Sequence, residues 1–222
     1  MAIPLSALAT IIPVVVPGIA DIYLAGQPSG STLGGDAAPV NSPVLVSGLS
    51  LVAGNSLTFS VTGFTGGAGC NSTTPDGCAG SFSTGTANGL SMFTGPPQAL
   101  IGVFVTNGVP SGVSPPGISP GTSFASLSPG LNVVFFIGDG LTGTGSGSTQ
   151  TFVIPVGATR FFLGSSDGIG GNFNNFGTYS VAVNDGSAPP PPPPPGVPEP
   201  ETLALLAVGL VALAARRAKK IN

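Results

Sequence analysis

Apolar and polar positions alternate with a period of two through much of this chain. Leu57, Phe59 and Val61 are interleaved with Ser56, Thr58, Ser60 and Thr62, the pattern of a strand with one buried face. Residues 99–105 form a short continuous apolar run, as a strand in the middle of a core does. Further strand-length segments are predicted at 133–137, 151–154, 160–163 and 179–183, with a candidate at 44–51. Between them fall turn formers: Asn107-Gly108, Asp139-Gly140, Pro155-Val156-Gly157 and Asp167-Gly168. No body segment carries the 3.6-residue period of an amphipathic helix. About seven strands with such punctuation predict an all-β fold, an antiparallel β-sandwich of jelly-roll-like form. The proline-rich stretch 109–121 reads as a long surface loop.

The two ends break this pattern. Residues 1–20 are apolar but lack a basic start and contain Pro4, Pro13 and Pro17. Either they are a degenerate export signal, or the true start lies upstream and residues 11–22 open the mature domain. At the other end, Pro189 to Pro195 are seven consecutive prolines, a polyproline II spacer of roughly 22 Å. Then comes Gly196-Val197-Pro198-Glu199-Pro200, and an unbroken apolar run over 203–215. Arg216, Arg217, Lys219 and Lys220 follow at once. The run is apolar all round and rich in Leu and Ala, which predicts a single C-terminal hydrophobic helix. Its roughly 20 Å falls short of the roughly 30 Å hydrocarbon core, a gap that snorkelling basic side chains narrow. The basic end would stay cytoplasmic, with the bulk of the chain outside. The predicted organisation is an N-terminal apolar segment (1–20), a β-sandwich (21–186), a proline-rich linker (187–196) and a tail (197–222).

That tail resembles the PEP-CTERM domain of Gram-negative bacteria, which an exosortase recognises in the inner membrane. The resemblance rests on Val197, Pro198, Glu199 and Pro200, the apolar block behind them, and the basic end at Arg216 and Arg217. It implies an exported protein that engages the inner membrane transiently, is cut near its Pro-Glu-Pro signature, and reaches the cell surface or extracellular polysaccharide matrix. A retained tail would instead make the chain a membrane-anchored structural protein with no ligand.

Charge narrows the functional classes. Of five basic residues, only Arg160 lies before the tail, facing six aspartates and no Lys, Glu or His, so residues 1–196 carry a net charge of −5. A body without clustered Lys and Arg cannot neutralise phosphates, which excludes nucleic acid as a partner. General acid–base catalysis would have only aspartates to use, and hydroxyl nucleophiles would lack an imidazole. Asp139 and Asp167 could form a carboxylate pair, but both sit in Asp-Gly turns, where the side chain serves the backbone. The expectation is a protein without enzymatic activity. Low charge and abundant Gly, Pro and Ser also suit disorder, but 13 phenylalanines in strand-length settings argue for a real core.

Cys70 and Cys78, the only cysteines, bracket a Pro75-Asp76-Gly77 turn. A local disulfide is expected in an oxidising compartment; free thiols are the alternative, and a metal site would need further Cys or His. Calcium is the other candidate chemistry. Asp167 in Ser166-Asp167-Gly168 is followed by Asn174-Asn175 and then Gly177-Thr178-Tyr179-Ser180-Val181, a run of hard oxygen ligands. The order of these residues resembles the last hairpin of the PA-I-type galactophilic lectins, small β-sandwiches that hold sugar through calcium. By that resemblance Asp167, Asn174 and Asn175 would be the side-chain ligands of Ca²⁺, and polysaccharide hydroxyls would meet it there. The family's sugar site uses a histidine, which this chain lacks. The stretch 138–147, rich in Gly around Asp139, reads as a hairpin loop rather than a calcium β-roll, which needs repeats. Arg160 would pair with Asp139 or Asp167, or face solvent.

Overall fold

The computed structural model describes residues 11–67 and 69–186. The chain divides into two compact units, Met1–Ala188 and Pro189–Asn222. The second unit, with the expected linker, tail and C-terminal helix, lies outside the described residues.

In chain order the strands are β1 (Ile11–Pro17), β2 (Thr32–Leu33), β3 (Asp36–Ala37), β4 (Val44–Leu45), β5 (Ser56–Gly67), β6 (Cys70–Asn71), β7 (Phe82–Ser83) and β8 (Thr94–Gly95). They continue with β9 (Leu100–Val105), β10 (Ser126–Leu127), β11 (Val134–Phe136), β12 (Leu141–Gly143), β13 (Ser146–Thr149), β14 (Thr151–Val153), β15 (Arg160–Ser165) and β16 (Phe176–Asn184). Two short 3-10 turns, Ile22–Leu24 and Asn172–Asn174, are the only helical elements among the described residues. No helix there is long and apolar enough to cross a membrane.

The first sheet runs β1-β16-β5-β14-β10, with β6 pairing the far end of β5. The second runs β11-β9-β15-β4 and is antiparallel throughout. Three small hairpins, β2–β3, β7–β8 and β12–β13, complete the set. The first sheet departs from a purely antiparallel design, because β10 and β14 pair in parallel, Ser126 opposite Thr151. Residues 128–150 pass through β11 and the β12–β13 hairpin before returning, the long crossover a parallel pair requires.

The strands follow the residue pattern closely. Along β5, Leu57, Phe59 and Val61 are buried, whereas Ser60 and Thr62 face solvent. The phase carries on through Gly63 to the buried Thr65. Gly63 has φ 92°, and a Cβ there would lie 2.3 Å from the Thr178 carbonyl oxygen, so the strand can continue only with glycine. The outer face of this sheet is therefore rich in hydroxyls, and its inner face is apolar.

β9 differs in that all six residues are buried. Leu100 and Phe104 point into a core shared with Leu57, Phe59, Phe152, Tyr179 and Val181 of the first sheet. Ile101, Val103 and Val105 point the other way, into a second core with Ile22, Tyr23, Leu90, Phe93 and Phe136. The second sheet is thus covered on both faces, which is why its central strand reads as an unbroken apolar run. Phenylalanines dominate the shared core: Phe161 lies 4.7 Å from Phe104 and 5.8 Å from Phe59 between ring centroids.

β1 lies within the apolar segment 1–20, which the predicted organisation sets apart from the sandwich and the alternative reading has opening the mature domain from residue 11. It pairs along its whole length with β16, from Ile11 opposite Asn184 to Pro17 opposite Thr178, so the folded unit includes residues before position 21. The candidate strand at 44–51 shrinks to Val44–Leu45, paired with Leu163 and Phe162.

Candidate functional site: a buried polar cluster under the 165–175 loop

The chain leaves β15 at Ser165 and reaches β16 through a loop that folds back on the sheet end. Ser166 holds its start, accepting from the Ala99 N–H at 2.8 Å and donating to the Pro96 carbonyl at 2.7 Å. Gly170, at φ 71°, brings the loop against the β2–β3 hairpin, where its carbonyl accepts from the Gly35 N–H at 2.9 Å. Asn172 closes the fold-back, its amide nitrogen donating to the carbonyls of Ser165 (3.0 Å) and Gly18 (3.3 Å).

The residues expected to bind calcium are placed unequally. Asp167 and Asn175 come together, but through Gln98: its amide nitrogen donates to Asp167 Oδ2 at 3.3 Å and to Asn175 Oδ1 at 3.0 Å. Asp167 Oδ1 accepts from the Gly168 N–H at 2.6 Å, the usual occupation of an aspartate in such a turn. Asn175 is buried and also donates to the Gly18 carbonyl at 3.2 Å. Asn174 is exposed and is not drawn into this group. The point where the oxygens of Asp167 and Asn175 converge is filled by an N–H donor.

Gln98 organises the next layer too. It is buried with φ 56°, a left-handed conformation unusual for a side chain of its size. Its side-chain oxygen accepts from Thr65 Oγ1 at 3.0 Å, and its carbonyl accepts from the Tyr179 hydroxyl at 2.8 Å. Burial pushes the Tyr179 phenol up to about 12. Nothing in the sequence marks Gln98, which sits between two prolines and an apolar run.

Asp21 and Asp36 were also silent in the sequence. Asp21 caps the turn Ile22–Leu24, its Oδ1 accepting from the Tyr23 N–H at 2.8 Å. Asp36, on the β2–β3 hairpin, accepts at Oδ2 from the Asn172 N–H at 2.9 Å. Each residue is only 1 % exposed, and Asp21 Oδ2 and Asp36 Oδ1 have no hydrogen-bond partner. Desolvation first, then the charge of Asp36, pushes the Asp21 carboxyl up to about 7, against the pull of the Tyr23 N–H. Asp36 is raised by desolvation as well.

The other charged candidates serve the backbone. Asp139 accepts from the N–H groups of Leu141 (2.8 Å) and Gly145 (2.6 Å), shaping the β12–β13 hairpin. Arg160 pairs with neither expected aspartate. Its guanidinium donates to the carbonyls of Thr106 and Gly108 and lies 5.5 Å from the Phe162 ring centre. Cys70 and Cys78 are joined in a disulfide across the Asp76-Gly77 turn. Asp76 in turn accepts from the Asp139 N–H at 2.8 Å, linking that turn to the β12–β13 hairpin.

The comparisons bear on the tail. A family model described as the PEP-CTERM protein-sorting motif matches residues 196–219. The chain carries a PEP-CTERM sorting motif. The match spans Val197, Pro198, Glu199 and Pro200 and reaches Arg216, Arg217 and Lys219. Such a motif implies processing by an exosortase, export and sorting to the cell surface. No curated protein and no solved structure matches the chain, so the likeness of the body to PA-I-type lectins gains no support.

Proposed function

We propose that this chain is the precursor of a non-catalytic matrix protein, whose β-sandwich is released from its PEP-CTERM tail into the extracellular polysaccharide layer. The single observation that carries this reading is the sorting motif, which begins where the run of seven prolines ends. The tail would span or dip into the inner membrane, with Arg216, Arg217, Lys219 and Lys220 held on the cytoplasmic side by the positive-inside preference. The exosortase would recognise Pro198, Glu199 and Pro200 and cut within 197–200.

The body supports an extracellular role. Its disulfide suits an oxidising compartment, and its surface is built on Ser, Thr, Asn and Gly with almost no basic side chains. In this reading it contributes a stable, weakly charged module to the matrix. Calcium-dependent carbohydrate binding through Asp167, Asn174 and Asn175 draws less support, because the Gln98 amide already donates to two of the three.

Glu199→Ala in a host that carries the exosortase tests the proposal. Wild-type protein should leave the inner-membrane fraction and lose its tail. The variant should accumulate there at full precursor mass, as wild type should in a strain without the exosortase. Equal release of wild type and variant would overturn the reading. Retention of the intact wild-type tail would favour the membrane-anchored alternative.

A further inference from the structure

Asp21 Oδ2 and Asp36 Oδ1 are two buried acceptors on carboxyl groups within hydrogen-bonding reach of each other. Neither can satisfy the other, because an ionised carboxylate supplies no donor. Leaving both charged and unpaired in a dry interior costs several kcal/mol per ion, on the order that single domains are stable by. Something positive must lie between them, and the choices are a basic side chain, a proton or a metal ion.

No basic side chain is free to do it. Arg160 is the sole basic residue before the tail, and its guanidinium is occupied by the Thr106 and Gly108 carbonyls. A proton shared between the two carboxyls is the alternative, one group donating to the other, and it leaves the pair at −1; a divalent cation leaves it neutral. The surroundings favour the cation. The pair's neighbours are neutral: the Asp21 N–H donates to the Asn41 carbonyl, Asp21 forms a β-bridge with Ser165, and the Asn172 N–H donates to Asp36, so backbone carbonyls and amide or hydroxyl side chains are the groups nearby. The chain has no histidine, and both cysteines are in the disulfide, so softer metals have no ligands here. Among the described residues no three acidic, His or Cys side chains converge, so the site's charge comes from this pair and its remaining ligands would be neutral oxygens.

We propose that Asp21 and Asp36 form a buried divalent-cation site of the calcium class. It joins three segments far apart in sequence: the turn after β1, the β2–β3 hairpin, and the 165–175 loop through the Asn172 N–H on Asp36. With two carboxylates the affinity belongs to the weak extracellular range, roughly 10⁻⁴ to 10⁻³ M. The inference is independent of the tail and stands whether or not the tail is cleaved.

The test is the thermal midpoint of the purified full chain at neutral pH, first in chelator and then with Ca²⁺ added to about ten millimolar. The midpoint should rise by about 5 °C, as mass action on a domain of this size gives. Asp21→Asn and Asp36→Asn should each abolish the rise. Asp21→Asn should still fold, because its amide can donate to the orphaned Asp36 oxygen. Asp167→Ala should keep the calcium response. Terbium, a calcium surrogate, gives a readout free of stability: Tyr23, two residues from Asp21, should sensitise its emission, and Ca²⁺ should quench it. Absence of any calcium response, with a midpoint that climbs as pH falls from 8 to 5, would mean a shared proton and overturn the proposal. A response lost in Asp167→Ala but kept in both Asn variants would also overturn it, placing the ion in the 165–175 loop.

Discussion

The protein has two tyrosines and no tryptophan, so its ultraviolet absorbance reports two buried sites directly. Tyr23 and Tyr179 belong to different cores and are 2 % and 0 % exposed. Tyr23 bonds the Thr84 hydroxyl and accepts from the Phe93 N–H at 3.1 Å. Tyr179 bonds Thr65 Oγ1 at 2.6 Å and the Gln98 carbonyl at 2.8 Å. Burial pushes both phenols up to about 12 from an ordinary value near 10. A raised phenol pKa means that the folded state holds its proton more tightly than the unfolded chain. Stability from this source is therefore complete below pH ~10 and falls as pH rises through ~12. Each tyrosine contributes roughly 1.4 kcal/mol per pH unit across that window, so the pair removes about 5 kcal/mol by pH 12. That is comparable to the whole stability of an ordinary domain. Raising pH while following tyrosinate absorbance and near-ultraviolet circular dichroism should show little ionisation at pH 10. A single steep step should follow above pH 11, with both signals moving together. A gradual titration centred near pH 10, with dichroism unchanged, would mean that the phenols meet solvent and would refute the packing described here.

Replacing Cys70 and Cys78 with serine should lower the urea midpoint by an amount equivalent to about 2.5 kcal/mol, the chain-entropy effect of so short a loop. Denatured, unreduced wild-type protein should show no free thiol. Phe161→Ala opens the centre of the phenylalanine cluster and should cost about 3–5 kcal/mol in the same assay.

Legibility divided along the line between local and long-range information. The apolar run of β9 and the alternation of β5 are local, and both strands stand where the residue pattern puts them. That β9 lies between two cores is not local, because a continuous apolar run does not say what covers each face. β1 was obscured by Pro13 and Pro17, which make residues 11–17 look unlike a strand. An edge strand tolerates them, because its outward N–H groups have no partner to lose. β1 is such an edge, paired only with β16. In the site, Asp167 and Asn175 were visible because they sit close together in one loop. Gln98, which joins them, is contributed by another segment and bears no mark of its role. Asp21 and Asp36 look like ordinary turn aspartates until the fold buries both and sets Asp36 against Asn172. The tail was legible because a sorting signal is read as a linear segment and needs no tertiary partner.

The PEP-CTERM motif at residues 196–219 is proposed to be removed, leaving the residues before it outside the cell. The direct measurement is the intact mass of the native surface fraction, with its C-terminal peptide sequenced. The expected result is a mature chain ending within 197–200 and carrying the Cys70–Cys78 bond. A surface protein that still ends in Arg216, Arg217 and the residues beyond would contradict it.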